Sequence, residues 1–293
     1  MNSIAEASKD VAEARESTAD LDSASVRLRL RRRRWMINFL RLGLLVLVLG
    51  GWEVAARLKC IDPFFFAMPS MIADQIWTWL VEGTSQGPLW EQVLVTLEET
   101  VLGFLIGALL GVLCGVALGR NRLLADVFSI YIKIANSVPR VVLGSIFIIA
   151  LGLGMASKVA LAVVMVFFVV FGNAFQGVRE ADRSLIANAR ILGASRRQVT
   201  ASVVIPSALT WIIASLHVSF GFALVGAVVG EFLGSRQGIG LLIATAQGTF
   251  NAAGVFAAMI VLAVVALAAE SLITLLENRL IKWRPAQLAD TGF

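Results

Sequence analysis

Apolar residues in this chain neither alternate nor mark a single helical face; they run in long blocks separated by short polar stretches. The blocks cover about Trp35 to Ala55, Leu94 to Gly119, Lys158 to Gly177, Pro206 to Phe232 and Ala253 to Leu276. A mixed region, 126–154, lies after the second block: Lys133 and Asn136 precede a break at Pro139, and the apolar run Val141 to Leu153 follows. A bilayer core takes about 20 apolar residues per helical crossing. Lipid offers backbone groups no partners, so each block must close its own hydrogen bonds as a helix. The pattern predicts an all-α, polytopic membrane protein of about six transmembrane helices. The third is expected as one bent helix, interfacial at first and then embedded.

The polar stretches define the rest. Residues 1–26 hold almost no large apolar side chain and read as a disordered tail, because they cannot bury enough surface to offset ordering. A basic block follows, Arg27, Arg29 and Arg31 to Arg34, so 1–34 is expected as tail plus membrane-flanking block, 35–284 as the transmembrane domain and 285–293 as a short tail. No small-residue cleavage site follows the first run, which reads as an uncleaved membrane helix. The segment 59–92 carries the Phe64-Phe65-Phe66 cluster and an amphipathic stretch from Ser70 to Leu80 with Trp77 and Trp79, aromatics that suit a membrane interface. After the fifth run a glycine-rich loop is expected around Gly234, Gly238, Gly240 and Gly248.

Charge sets the orientation. With the N-terminus inside, the cytoplasmic segments receive the arginine block, Arg120, Arg122, Arg179, Arg183, Arg190, Arg196, Arg197, Arg279, Lys282 and Arg284; the outer ones receive Arg57, Lys59, Lys158 and Arg236. The asymmetry predicts both termini in the cytoplasm. Composition agrees with membrane placement, since 58% of residues are hydrophobic and 15% charged. Soluble domains carry about 25% charged residues. The net charge of +5 is thus a topology signal and not a footprint for nucleic acid. Cys60 and Cys114 form neither a metal nor a redox spacing.

Within the second run, Gly103, Gly107, Gly111, Gly115 and Gly119 recur every four residues. Each glycine costs about 1 kcal/mol in a helix relative to alanine, so the repeat implies a groove for close helix packing. Catalytic chemistry is sparse. A single histidine, His217, excludes paired-histidine zinc motifs, and no Gly-x-x-x-x-Gly-Lys-Ser/Thr phosphate loop occurs. The chain is expected to be no enzyme and to bind no metal or cofactor. Ionisable residues in or near spans are Glu98, Glu99, Lys133, Arg140, Glu231 and Glu270. Glu99, His217 and Glu231 are candidates for lining a translocation path, with structural hydrogen bonding as the alternative for each; for Glu270 the structural role is expected.

The segment from Asp182 to Pro206 punctuates itself as two short helices. Asp182 can cap the first, Gly193 can end it, and Ser195 can cap the second. Ordered helices in a cytoplasmic connection suit a docking knob. The stretch resembles the loop motif of binding-protein-dependent ABC importer permeases: Glu-Ala-Ala, three residues, Gly, nine residues, Ile-x-Leu-Pro. Matching positions are Ala189, Gly193, Val203, Ile205 and Pro206, and the run Arg190-Ile191-Leu192-Gly193-Ala194-Ser195-Arg196 is similar to the nitrate/sulfonate/taurine branch. Ala187 stands where the family has Glu, Asn188 where it has Ala, and Ile205 where it often has Leu. Ala67-Met68-Pro69-Ser70, Leu102-Gly103-Phe104 and Gly230-Glu231-Phe232-Leu233-Gly234 resemble the same branch, so the likeness covers about 60–284.

The resemblance implies a permease dimer formed from two copies of one chain, two cytoplasmic ATPase subunits that carry ATP and magnesium, and an extracytoplasmic substrate-binding protein, all in or at the inner membrane. It implies an ATPase-docking loop at Ala189, Arg190, Leu192, Gly193, Ala194, Ser195 and Pro206. Sulfonates, nitrate or taurine are the branch's usual cargo; pyrimidines and aromatic acids are alternatives. A secondary transporter is the rival class, expected to show an inverted repeat with interrupted helices.

Overall fold

The structure, a computed structural model, describes residues 31–180 and 183–280. The tail 1–26, the first arginines of the basic block, the cap Asp182, and Lys282, Arg284 and the tail 285–293 lie outside the described residues. The elements formed by the described residues are helices. The chain divides into two units, residues 1–70 and 71–293.

The first unit holds α1 (Arg31–Arg57) and α2 (Pro63–Phe66). The Asp62 carboxylate accepts from the Phe64 amide and caps α2. At the end of α1, Glu53 pairs with Arg57 and accepts from both the amide and the hydroxyl of Ser70, at 3.0 and 2.9 Å. Those bonds satisfy a donor left over at the start of α3 (Pro69–Val81).

The second unit is built on three long helices: α4 (Leu89–Gly119), α7 (Met155–Arg179) and α10 (Ile205–Leu233). The glycine ridge of α4 lies directly against α7. A Cβ on Gly107 would stand 2.8 Å from Val166 Cβ, on Gly111 2.9 Å from Val170 Cβ, on Gly115 2.7 Å from Ala174 Cβ, and on Gly119 2.9 Å from Val178 Cβ; on Gly103 it would collide with Ala162. The pairing advances four residues on each helix per rung, so α4 and α7 run parallel. On its other side α7 meets α10, where Gly226 lies on Ala162 and Gly230 on Lys158, an antiparallel pairing. Ala162, fully buried, thus separates two glycines on two different helices. Small residues at both faces let α7 sit between its neighbours at backbone distance.

The region expected as one bent helix is instead two helices. Across the Pro139 break, α5 (Arg122–Ser137) and α6 (Val142–Leu151) meet at 93°. Asn121 caps α5, and the residue before a proline disfavours helix, which accounts for where α5 stops. The second of the pair, α6, is too short to cross a bilayer core by itself. The described residues contain five helices long enough to cross a membrane, or six if the bent pair counts as one crossing. The last of them is α12 (Ala252–Leu280).

The expectation for the segment after α10 is also corrected. The region read as a glycine-rich loop is mostly helix: α11 (Ile239–Gly248) follows α10 after a short turn. Gly238, at φ +108, turns the chain into it, and Gly240 lets it approach the Val228 carbonyl of α10 more closely than any side chain would permit. Its glycines serve close approach and chain reversal, not looseness.

Candidate functional site

Two polar features lie at opposite ends of the α4–α7–α10 core. The first is the connection between α7 and α10. Helix α8 (Arg183–Ile191) ends at Leu192-Gly193, with Gly193 at φ +83. The Gly193 amide bonds the Arg190 carbonyl and the Ala194 amide bonds the Ala189 carbonyl, both at 3.0 Å. This is a Schellman closure, which a left-handed glycine permits. Helix α9 (Arg196–Val199) then starts with a reciprocal capping box. The Ser195 amide donates to Gln198 Oε1 at 2.8 Å. The Gln198 amide donates back to Ser195 Oγ at 3.3 Å.

A wide π turn, Thr200–Val204, joins α9 to α10, whose Ile205 amide bonds the Thr200 carbonyl. Pro206 follows directly on this π turn, inside a helix that is continuous from Arg197 to Leu233. The turn between α8 and α9 presents Ile191 and Leu192 at 82% and 86% exposure, beside exposed Arg190 and Arg197. Ala189 and Ala194 are half-buried. The braced turn therefore leaves two large aliphatic side chains bare, with an exposed arginine on the helix to either side.

The second feature encloses the start of α11. Its first amides have no partner within the helix. Three side chains supply them: Gln92 Oε1 accepts from Gly238 at 2.8 Å, Thr96 Oγ1 from Ile239 at 3.0 Å, and Glu231 Oε2 from Gly240 at 2.7 Å. Thr96 donates in turn to Glu231 Oε1 at 2.7 Å. Gln92, Thr96 and Glu231 are completely buried. Glu99, buried on α4, adjoins the cluster within electrostatic range of Glu231, and its Oε2 is buried without a hydrogen-bond partner. Lys158, also fully buried, lies within electrostatic range of both carboxyls and donates to the Leu153 and Gly154 carbonyls at 2.6 and 3.1 Å.

Glu231 and Glu99 therefore belong to one enclosed cluster joining α4, α7, α10 and α11. His217 lies elsewhere on α10, its Nε2 3.7 Å from Glu270 Oε1 of α12. Arg140 donates to Asn136 and covers the Phe168 ring at 5.1 Å, while Lys133 and Glu98 are exposed. Among the described residues no three His, Cys, Asp or Glu side chains gather as a metal-binding group. The roles of Gln92, Thr96 and Lys158 are not evident in sequence; the polar residues spaced by four at the start of an apolar helix, Gln92, Thr96 and Thr100, are the available signal.

The clasp predicts a measurable effect. Thr96→Val removes the acceptor for a buried amide, which costs about 1–3 kcal/mol. The variant should unfold at lower temperature and exchange the Ile239 to Leu242 amides faster, whereas Thr96→Ser should behave as wild type. Unchanged protection of those amides in Thr96→Val would remove the clasp role.

The family profile described as binding-protein-dependent transport system inner membrane component matches residues 107–282. The riboflavin transport system permease protein of Chloroflexus aurantiacus is 33% identical over 82% of this chain and 88% of its own. A putative aliphatic sulfonates transport permease protein of Bacillus subtilis is 30% identical over 93% of this chain and 97% of its own. Among solved structures, an amino acid ABC transporter crystallised with histidines aligns with a TM-score of 0.53 at 20% identity, covering 65% of this chain and 92% of its own, a likeness of fold.

Proposed function

The chain belongs to the inner membrane components of binding-protein-dependent transport systems, and from that membership we propose that it carries a small organic anion of the sulfonate type inward. It is a multi-pass membrane permease of the ABC importer type. The observation that carries the mechanistic reading is the α8–α9 turn, a braced apolar knob with a basic rim. It suits insertion into a cleft on a separate ATPase subunit. In this scheme ATP and magnesium bind there, ATP-driven closure pulls α8 and α9, and α7 and α10, to which the knob is joined at either end, convey the movement across the membrane.

The wider assembly is two permease copies, two ATPases and an extracytoplasmic binding protein that delivers the cargo. The basic residues support an orientation with both termini and the knob in the cytoplasm, which places α11 and its clasp at the outer end. The sulfonate reading is supported by the Bacillus subtilis relative and by the branch-like wording around Gly193. A second reading, a heterocyclic cargo, is favoured by the relative named for riboflavin.

The test is reconstitution of the chain with its ATPase in vesicles, with the binding protein and ATP supplied. Uptake of an alkanesulfonate or taurine should require all three additions, and riboflavin uptake instead would transfer the reading to heterocycles. Uptake without an ATPase would overturn the ABC mechanism. In the source cells, Cys60 should react with an impermeant thiol reagent and a cysteine at Ser195 should not; the reverse pattern would invert the orientation.

A further inference from the structure

The amino-terminal helix carries a polar stripe that crossing a membrane does not require. The hydrocarbon core takes about 20 residues of helix. Counted back from Arg57, that length brings the far boundary near Ile37. Arg31 to Arg34 then stand at headgroup level, but Asn38 and Arg41 stand inside the hydrocarbon edge. At about 100° per residue, Arg31, Arg34, Asn38 and Arg41 fall within an arc of roughly 80°, while Arg32 and Arg33 turn to other sides. All six side chains are exposed. Arg34 and Arg41 are separated by about 10 Å along the axis.

Orientation alone does not explain this stripe. A positive flank is satisfied by arginines on any side of the helix, and Arg32 and Arg33 serve as well as their neighbours. Nothing in that rule puts a carboxamide and a second guanidinium below Arg34 on the same side. An arginine one turn inside the boundary reaches back toward the headgroups or meets a counter-charge. The single acidic residue of α1, Glu53, lies at the other end and is engaged by Arg57 and Ser70.

A phosphodiester at headgroup level meets the remaining requirement. Guanidinium groups bind phosphate oxygens through paired donors, the Asn38 amide can add a further donor, and the acyl chains continue along the apolar surface at Leu42 and Leu45. We propose that Arg34, Asn38 and Arg41 form a binding site for the phosphate of an anionic phospholipid. The site is independent of the cargo and of the docking role.

Native mass spectrometry of the full-length chain in detergent, titrated with dioleoylphosphatidylglycerol, tests it. Arg34→Gln/Arg41→Gln should weaken the first lipid-binding step roughly tenfold or more, since a hydrogen bond between charged groups contributes on the order of a factor of ten. Arg32→Gln/Arg33→Gln removes the same charge from other sides and should weaken it by less than about threefold, because exposed charges out of contact with the phosphate are screened by solvent. Arg34→Lys/Arg41→Lys should retain more affinity than the glutamine pair, and dioleoylphosphatidylcholine should bind wild type more weakly. Equal losses in the two glutamine pairs would reduce the stripe to net charge and overturn the proposal. Unchanged lipid binding in Arg34→Gln/Arg41→Gln, with or without loss of a co-purifying protein, would overturn it as well.

Discussion

Gly111→Leu should abolish most of the yield of folded, monodisperse protein, while Leu110→Ile at the preceding position should leave it nearly unchanged. At Gly111 even the first added carbon would lie 2.9 Å from Val170 Cβ and 3.0 Å from the Phe167 carbonyl and the Phe171 amide. Two of those three neighbours are backbone of a buried helix, which cannot rotate out of the way. Overpacking an ordinary core position costs about 1–3 kcal/mol, and a leucine against backbone on a parallel helix stands at or beyond that range. Leu110 is exposed, turned away from the ridge of α4. Gly172→Ala is the matched control, because a Cβ there has nothing within 4 Å. It should be neutral or stabilising, by up to about 1 kcal/mol of helix propensity. Size-exclusion profiles of the three variants decide the matter. Normal assembly of Gly111→Leu would mean that α4 and α7 do not meet along the ridge.

Gly193→Val should leave insertion and expression near wild type and remove most substrate-stimulated ATP hydrolysis in the reconstituted transporter. The space around Gly193 is open, with nothing within 4 Å of an added Cβ, so the whole effect comes from the backbone. The residue sits at φ +83. A branched side chain in that left-handed region is strained by about 1–2 kcal/mol or more. The cheapest relief is to abandon the Schellman closure and redirect α9 relative to α8. Gly193→Asn separates backbone strain from simple bulk, since asparagine visits the left-handed region readily, and should keep most of the coupling. Asn188→Ala, on exposed α8, should be tolerated. Pull-down of the ATPase alongside the hydrolysis assay reads the outcome, and full coupling in Gly193→Val would discard the docking role.

Features whose causes are local are legible in the sequence alone. The closures on either side of Gly193 depend on residues a few positions apart. The break at Pro139 depends on one ring. The glycine repeat announces a groove, and its partner is also visible in outline, since Ala162, Val166, Val170, Ala174 and Val178 share the spacing of four on α7. What cannot be read is which polar side chain reaches a given backbone group from far along the chain. Helix α11 is short, flanked by glycines and lacks a side-chain cap of its own, so by local rules it reads as loop. Its amides are satisfied by Gln92 and Thr96, which lie on a helix far earlier in the chain. For the same reason Glu231 stands out in sequence as a membrane-embedded carboxyl, while its attachment to Gly240 and Thr96 becomes visible only with the fold.

The stepwise match of α4 to α7 also bears on how such a chain can lengthen or shorten over evolutionary time. One residue inserted between Gly107 and Gly111 would rotate everything beyond it by about 100°. That turn would carry Gly111, Gly115 and Gly119 off the seam together. The same insertion in the turn at Arg120-Asn121, or between Gly83 and Gly87, leaves every rung in place. A change of length is therefore expected to be tolerated in the connections, whereas the interval from Gly103 to Gly119 behaves as an indivisible block that cannot gain or lose a position without breaking the seam.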